Sequence, residues 1–355
     1  MMHSKSPSYT PSAFPWLQER IDAQGLDGWW IPCLHHIFRD VLLYHGFSSP
    51  LHALFRPPHL VFWVDKNLYP WLWEGPEEEF SQPHFNQGVS AQWRHEDSPE
   101  EACQRIQECL ASGRIPIIRL EWFHVPFSPS YKKLRGFLHA VAVLDYRHKD
   151  RMLYILDRSP LPAARGGFEK KDQGWIPLTS LEDAIREEFS WFDYKIEEAT
   201  VPWQTELRSL LLESVTIARK GNRISTPSSD HGLYAIRGFT HFIDSLDSSQ
   251  LATNLYRFFL RWHLPPCIRK YILGQRKFLH LILSELPGQY DNLVAQAQTL
   301  LTQTMELWDQ VAASLYLLGY KDTKECRTKL GEQIANLSKL EEKLTDAIEA
   351  LALEL

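Results

Sequence analysis

LHAVAVLDYRHKDRMLYILD, residues 138–157, decides the reading of the first half of this chain. Two short runs rich in Val, Ile, Leu and Tyr, HAVAVLDY and MLYILD, flank the polar segment RHKDR at 147–151. Runs of this length and composition form strands, and a polar turn between them makes an antiparallel hairpin. In antiparallel neighbours the start of one strand lies beside the end of the next. His139 starts the first run and Asp157 ends the second, so the two are expected side by side, a carboxylate placed to orient an imidazole. Asp145 is nearer to His139 in sequence, but six residues along one strand separate them by roughly 20 Å. Asp157 is therefore the preferred partner.

Outward from the hairpin, further strand-like runs precede residue 200: HLVFWV at 59–64 and IPIIRL at 115–120. The segment LPAARGGFEKKDQG, 161–174, is polar and glycine-containing and reads as an exposed loop. Beyond residue 200 the apolar period changes to that of a helix. TELRSLLLESVTIARKG carries Leu207, Leu210, Leu211, Val215 and Ile217 on one face and ends in Gly221, as a capped amphipathic helix does. GNRISTPSSDHG, 221–232, reads as a loop, and helical patterns follow at 233–245, 248–262, 266–285, 289–317 and 322–352. The last presents Leu330, Ile334, Leu337, Leu340, Leu344 and Ile348 at spacings of three, four and seven, a stripe that closes a bundle or pairs with a second subunit. A homodimer is compatible with that stripe. The expected architecture is α+β over residues 1–200 and an all-α bundle over 201–355, with the bundle capping a cleft or mediating dimerisation.

Upstream, DGWWIP leads into CLHHIFRDVLLYHG, where Leu34, Ile37, Phe38, Val41 and Leu42 fall on one helical face. Pro32 suits the first turn of such a helix and Gly46 its exit, so Cys33 stands at a helix N-terminus. There the partial positive charge of the helix end favours thiolate, and the free backbone N–H groups of the first turn can hold a developing oxyanion. A Cys at a helix start, followed about a hundred residues later by His, a hairpin and Asp, has the parts of nucleophile, base and orienter in order. Trp30 and His36 flank the cysteine and are the candidate pocket residues on this side. His35 and His36 are adjacent and diverge by about 100° around a helix, which disfavours a shared metal ion.

Composition narrows the function classes. With 355 residues, 44% hydrophobic and 23% charged, the chain is long enough for two cores. A net charge of -6 gives no general attraction to phosphate backbones or anionic lipid, so neither nucleic acid nor membrane is an expected partner. The opening MMHSKSPSYTPSAFPW lacks the apolar core of a secretion signal, and the expected location is the cytoplasm. The five cysteines, Cys33, Cys103, Cys109, Cys267 and Cys326, are scattered and never in a CxxC arrangement, which points to single thiols rather than to disulfides or zinc. No bound cofactor or metal is expected. Lys132, Lys133, Arg135, Arg147, Lys149 and Arg151 flank the hairpin and could meet an acidic protein, or form an ordinary solvated turn.

The order Cys33 at a helix start, then H-x-V-x-V-x-x-Y and Y-I-L-D, resembles the papain-like cysteine enzymes. Cys33-Leu34-His35-His36 with LLYHGF, EWFHVPFSPSY at 121–131 and GLYAIRGFTHFIDSL at 232–246 more closely resemble the family of butirosin biosynthesis protein H. That resemblance implies a papain-like domain followed by a helical domain, and an acyltransferase of natural-product biosynthesis. The donor would be an acyl or peptidyl carrier protein bearing a phosphopantetheine thioester, and the acceptor a small-molecule amine. Cys33 would be the nucleophile, His139 the general base and then acid, Asp157 the orienter, and Tyr131 a pocket residue. The same triad serves a cysteine hydrolase (peptidase, amidase or thioesterase), and a non-catalytic papain-fold binding protein is the rival of another class. The chain departs from the papain-like pattern in two places: the nearest upstream Gln is Gln24, and Leu34 replaces the small residue after the cysteine. The second oxyanion donor is accordingly unassigned.

Overall fold

The computed structural model describes residues 33–47, 49–56, 59–64, 70–74, 85–125, 132, 138–157, 173–179, 189–221 and 229–355; the side chains of Cys33, His36 and His139 are outside the description. The chain divides into two compact units, one of residues 1–54 and 81–197 and the other of 55–80 and 198–355. The second junction falls beside the change in period near residue 200. The segment 55–80 clusters with the helical unit, a long-range association that local sequence pattern does not express.

The first unit is built on a six-stranded antiparallel sheet of order β3-β8-β4-β5-β6-β7. Its strands are β3 (Val89–Glu96), β4 (Ile117–Glu121), β5 (Leu138–Arg147), β6 (Met152–Leu156), β7 (Gln173–Pro177) and β8 (Phe189–Ile196). The β5–β6 hairpin forms as read, with a register shift between Val143 and Asp145. Its turn is held by an Arg147–Asp150 ion pair at 2.6 Å. Laterally aligned residues share a sheet face. The row Trp191–Ile118–Val141 lies on one face, and the row Phe192–Ile117–Ala142–Leu156 on the other.

A helix packs on each face. Helix α3 (Pro99–Ala111), capped by Ser98 with Pro99 in its first turn, buries Ala102, Ile106 and Cys109 against Ile118, Leu120, Val141, Val143, Leu153 and Ile155. Helix α1 (Cys33–Tyr44) packs against β5 and sets Phe38 edge-on to Phe192, with ring centroids 5.0 Å apart. The apolar face expected of α1 is the buried one: Ile37, Phe38, Val41 and Leu42 are almost fully covered. Ala140 and Ala142 on β5 are also buried. At the helix exit Gly46 adopts φ +87°, and Phe47 N–H and Gly46 N–H donate to Leu42 and Leu43 carbonyls, a Schellman closure. A short helix α2 (Pro50–Leu54) follows.

The second unit pairs β1 (Leu60–Val64) with β2 (Pro70–Glu74) and with β9 (Ser229–His231) in a sheet of order β2-β1-β9. The strand β9 lies in the segment that sequence alone reads as a loop, because three residues carry no period. Leu60, Phe62 and Leu72 from this sheet join Ile236, Phe239, Trp308, Leu315 and Leu337 in one core. The helices are α4 (Trp203–Lys220), α5 (Leu233–Ser245), α6 (Ser248–Ala252), α7 (Asn254–Phe258), α8 (Leu264–Cys267), α9 (Leu273–Ser284), α10 (Asp291–Tyr320) and α11 (Lys324–Glu354). The long helical patterns expected at 248–262 and 266–285 are broken up, with wide π turns at Phe259–His263 and Ile268–Ile272. Pro265 and Pro266 lie between those turns, and their missing N–H groups interrupt regular α pairing there. Leu330, Ile334, Leu337, Leu344 and Ile348 of α11 are buried within this unit. Among the described residues no helix is long and apolar enough to cross a membrane.

Candidate active site

Cys33 is the first residue of α1. The direction of α1 over the sheet follows from two contacts. Near its C-terminal end His45 Nε2 lies 3.2 Å from the Tyr194 hydroxyl, and one turn and more earlier Phe38 meets Phe192 as well as Tyr194. Moving back along α1 therefore means moving from the Tyr194 row to the Phe192–Ile117–Ala142 row and beyond. Five more residues, a rise of about 7.5 Å, carry the helix axis toward the sheet end where β5 begins. His139 stands there, paired with Leu120 and about 10 Å of strand from Ala142. Helix α1 lies on the Phe192–Ala142 face, whereas residue 139 takes the alternate position on β5, in line with Leu120 and Val141, so the sheet register does not by itself bring the start of β5 to α1.

Asp157 immediately follows β6 at the same end. The last pair of the hairpin ladder is Ala142 with Leu156, so one further step sets Asp157 across from Val141, the diagonal neighbour of His139. Asp157 is 1% exposed, and a carboxylate buried to that degree requires hydrogen-bonding or charged company. Asp145 is at the opposite end of β5, where it pairs with Tyr154 and its Oδ1 accepts the Tyr146 N–H at 2.7 Å. Its separation from His139 is the one the strand reading requires.

Trp30 and Tyr131 lie outside the described residues, and so do Lys133 and Arg135 of the basic segment. His36 is in the first turn of α1, with His35 half-buried beside it. Arg147 is engaged by Asp150 and stacks over the Trp175 ring at 4.4 Å. Two features escaped the sequence reading. Arg39 and Asp40 form a buried ion pair at 2.8 Å within α1, where helix periodicity marks only apolar positions. His124, on the 3-10 turn Trp122–His124 that leaves β4 just past the Leu120–His139 pair, is buried with no hydrogen-bond partner for Nε2. Its place in EWFHVPF is a signal that the resemblance had already marked. Among the described residues no group of three or more His, Cys, Asp or Glu is arranged to hold a metal ion.

Other thiols have environments that define their chemistry. Burial pushes the Cys109 thiol up from its ordinary value, and Cys103 Sγ accepts from Gln107 at 3.1 Å on the same helix. In the second unit Cys267 Sγ lies 3.8 Å from His263 Nε2, but burial lowers the His263 value, which favours a neutral imidazole over an imidazolium–thiolate pair.

An α+β unit with a helix on each face of an antiparallel sheet, continued by a largely helical unit, is the class these features define. Residues 59–158 match the family described as Butirosin biosynthesis protein H, N-terminal. The matched family is the one that the residues resemble. The matched stretch contains His139 and Asp157, while α1 and Cys33 precede it. No curated protein matches the sequence.

Proposed function

We propose that the chain is a papain-like cysteine acyltransferase that moves an acyl group from a carrier-protein phosphopantetheine thioester to a small-molecule amine. What supports this reading is that Cys33 is the first residue of α1, and that the hairpin which His139 opens forms and is followed by Asp157, a buried carboxylate. In the first step His139 takes the Cys33 thiol proton, Sγ attacks the thioester carbonyl, and the carrier thiol leaves with that proton. First-turn N–H groups of α1, which have no partner inside a helix, stabilise the tetrahedral oxyanion. Exchange between two thioesters is nearly isoenergetic, so the protein has chiefly to position the amine and to exclude water. In the second step the amine attacks the Cys33 thioester, His139 accepts the amine proton, and the thiol is regenerated as the amide departs. Asp157 keeps the imidazole oriented through both.

Intact-protein mass spectrometry tests it. Wild type and Cys33→Ala are mixed with simple acyl thioesters, with and without an amine. An adduct on wild type alone, discharged by amine as amide, supports transfer. Free acid irrespective of amine assigns the triad to hydrolysis, and no adduct on either protein across a broad thioester panel favours a papain-fold binding protein without catalysis.

A further inference from the structure

The helical unit carries an aromatic and cationic face that the proposed chemistry does not use. Of the eight large apolar side chains most exposed among the described residues, four cluster on it: Phe258, Trp262, Tyr316 and Tyr320. Trp262 is 50% exposed and Tyr320 67%, far beyond what core packing would leave. The face is assembled from the end of α7, the π turn Phe259–His263 and the end of α10, which approach closely because residue 319 is glycine. A Cβ there would lie 3.1 Å from the Arg261 backbone nitrogen and 3.2 Å from the Arg257 carbonyl. Together they line an open cleft of about 340 Å³.

Charge distinguishes this face from a stray apolar patch. The Arg261 guanidinium sits 4.8 Å from the Trp262 ring, 5.3 Å from Tyr316 and 4.9 Å from Tyr320, and its Nε is buried without a hydrogen-bond partner. Neither Arg261 nor the exposed Arg257 takes part in an ion pair among the described residues, as Arg269, Arg276 and Arg327 do and Arg208 and Arg237 do not. Arg261 set among aromatic rings and Arg257 beside it on the cleft, neither ion-paired among the described residues, give the composition of an interface centre, in which Arg, Trp and Tyr dominate binding energy.

We infer that this face docks an acidic protein segment presenting carboxylates on either side of a large apolar side chain. The apolar group would enter the cleft between Phe258 and Tyr320, and the carboxylates would meet Arg257 and Arg261. A second copy of this chain fits poorly, because a two-fold contact would set each arginine pair against its own image. A small ligand fits poorly as well, since pockets for such molecules enclose most of the ligand, whereas this cleft is open.

Fluorescence anisotropy on the full chain tests the inference, with a labelled amphipathic helical peptide of Glu and Leu as probe and its Lys-for-Glu counterpart as control. The Glu peptide is expected to bind saturably, more weakly as salt rises, and to lose about tenfold or more in affinity with the double variant Arg257→Gln/Arg261→Gln and with Tyr320→Ala. Tyr320 is too exposed for its loss to unfold the protein, and unchanged circular dichroism melts verify this for both variants. Equal binding of the two peptides, failure of both to bind, or wild-type affinity in the double variant would overturn the inference. So would sedimentation showing a dimer that Tyr320→Ala dissolves, which gives the face to a second copy.

Discussion

The Tyr194 hydroxyl accepts the backbone N–H of Ile115 at 3.0 Å and lies 3.2 Å from His45 Nε2, so one phenol ties the entry of β4 to the end of α1. Burial pushes the Tyr194 phenol well above its usual value, which keeps it a neutral donor. Burial and the nearby Arg114 lower His45, which favours its neutral imidazole. This tie joins the end of α1 to β8 of the sheet.

Tyr194→Phe removes the hydroxyl and leaves the Ile115 N–H buried without an acceptor. The expected loss is about 1–3 kcal/mol of unfolding free energy, the cost of an unsatisfied buried donor. Urea denaturation of the two proteins measures it. A variant as stable as wild type would show that α1 is held by Phe38 packing alone.

Asp157→Asn tests the orienting carboxylate separately from folding. The amide is nearly isosteric but lacks the charge that stabilises an imidazolium and sets its tautomer, so kcat for acyl transfer is expected to drop by roughly a hundredfold or more while thioester KM changes little. Asp145→Asn, at the other end of β5, is expected to leave kcat near wild type. Equal effects at the two positions would remove Asp157 from the triad.

Thiol reactivity separates a nucleophile from packing cysteines. Cys109 is buried with a raised thiol value and Cys267 is buried beside a neutral imidazole, so both should alkylate slowly. Cys33, at a helix N-terminus, is expected to react with iodoacetamide near pH 7 at least tenfold faster than either. Peptide mapping of a timed reaction reads the sites. Comparable rates at all thiols would favour the non-catalytic reading.

Much of this arrangement is local and therefore legible in sequence. The helix from Cys33 to its Gly46 exit, the β5–β6 hairpin and the buried stripe Leu330–Ile348 are set by apolar period and end signals that act over one or two turns. What escaped is non-local. The segment 55–80 clusters with the helical unit, and β9 exists only because Val61 and Trp63 of β1 give Ser229–His231 a partner. The buried Arg276–Glu341 pair, with Trp308 Nε1 donating to Glu341 at 2.8 Å, joins α9, α10 and α11 through charges that helix pattern places on a solvated face. Of the candidate site, register could bring His139 and Asp157 to one sheet end, but the tie through Tyr194 that holds α1 to β8 spans 149 residues. No window along the chain contains it.

His263 supplies a pH dependence whose sign is fixed by its surroundings. Its ring lies edge-on to Trp71 at 4.7 Å and to Phe259 at 4.7 Å, and burial holds its value below the ordinary 6.5. Above pH 6.5 the imidazole is neutral in both folded and unfolded chains, and its contribution to stability is fully present. As pH falls below 6.5 the unfolded chain takes up a proton that the folded one still refuses, so stability declines until the folded value is passed. Unfolding free energy by urea at pH 7.5 and 5.5 should therefore fall in wild type and fall less in His263→Gln. Carboxylates with lowered values, such as Asp247 and Asp322, titrate below this window and leave the difference to the histidine. Equal declines in the two proteins would mean that the His263 ring gains a proton as readily folded as unfolded, and that Trp71 and Phe259 do not desolvate it.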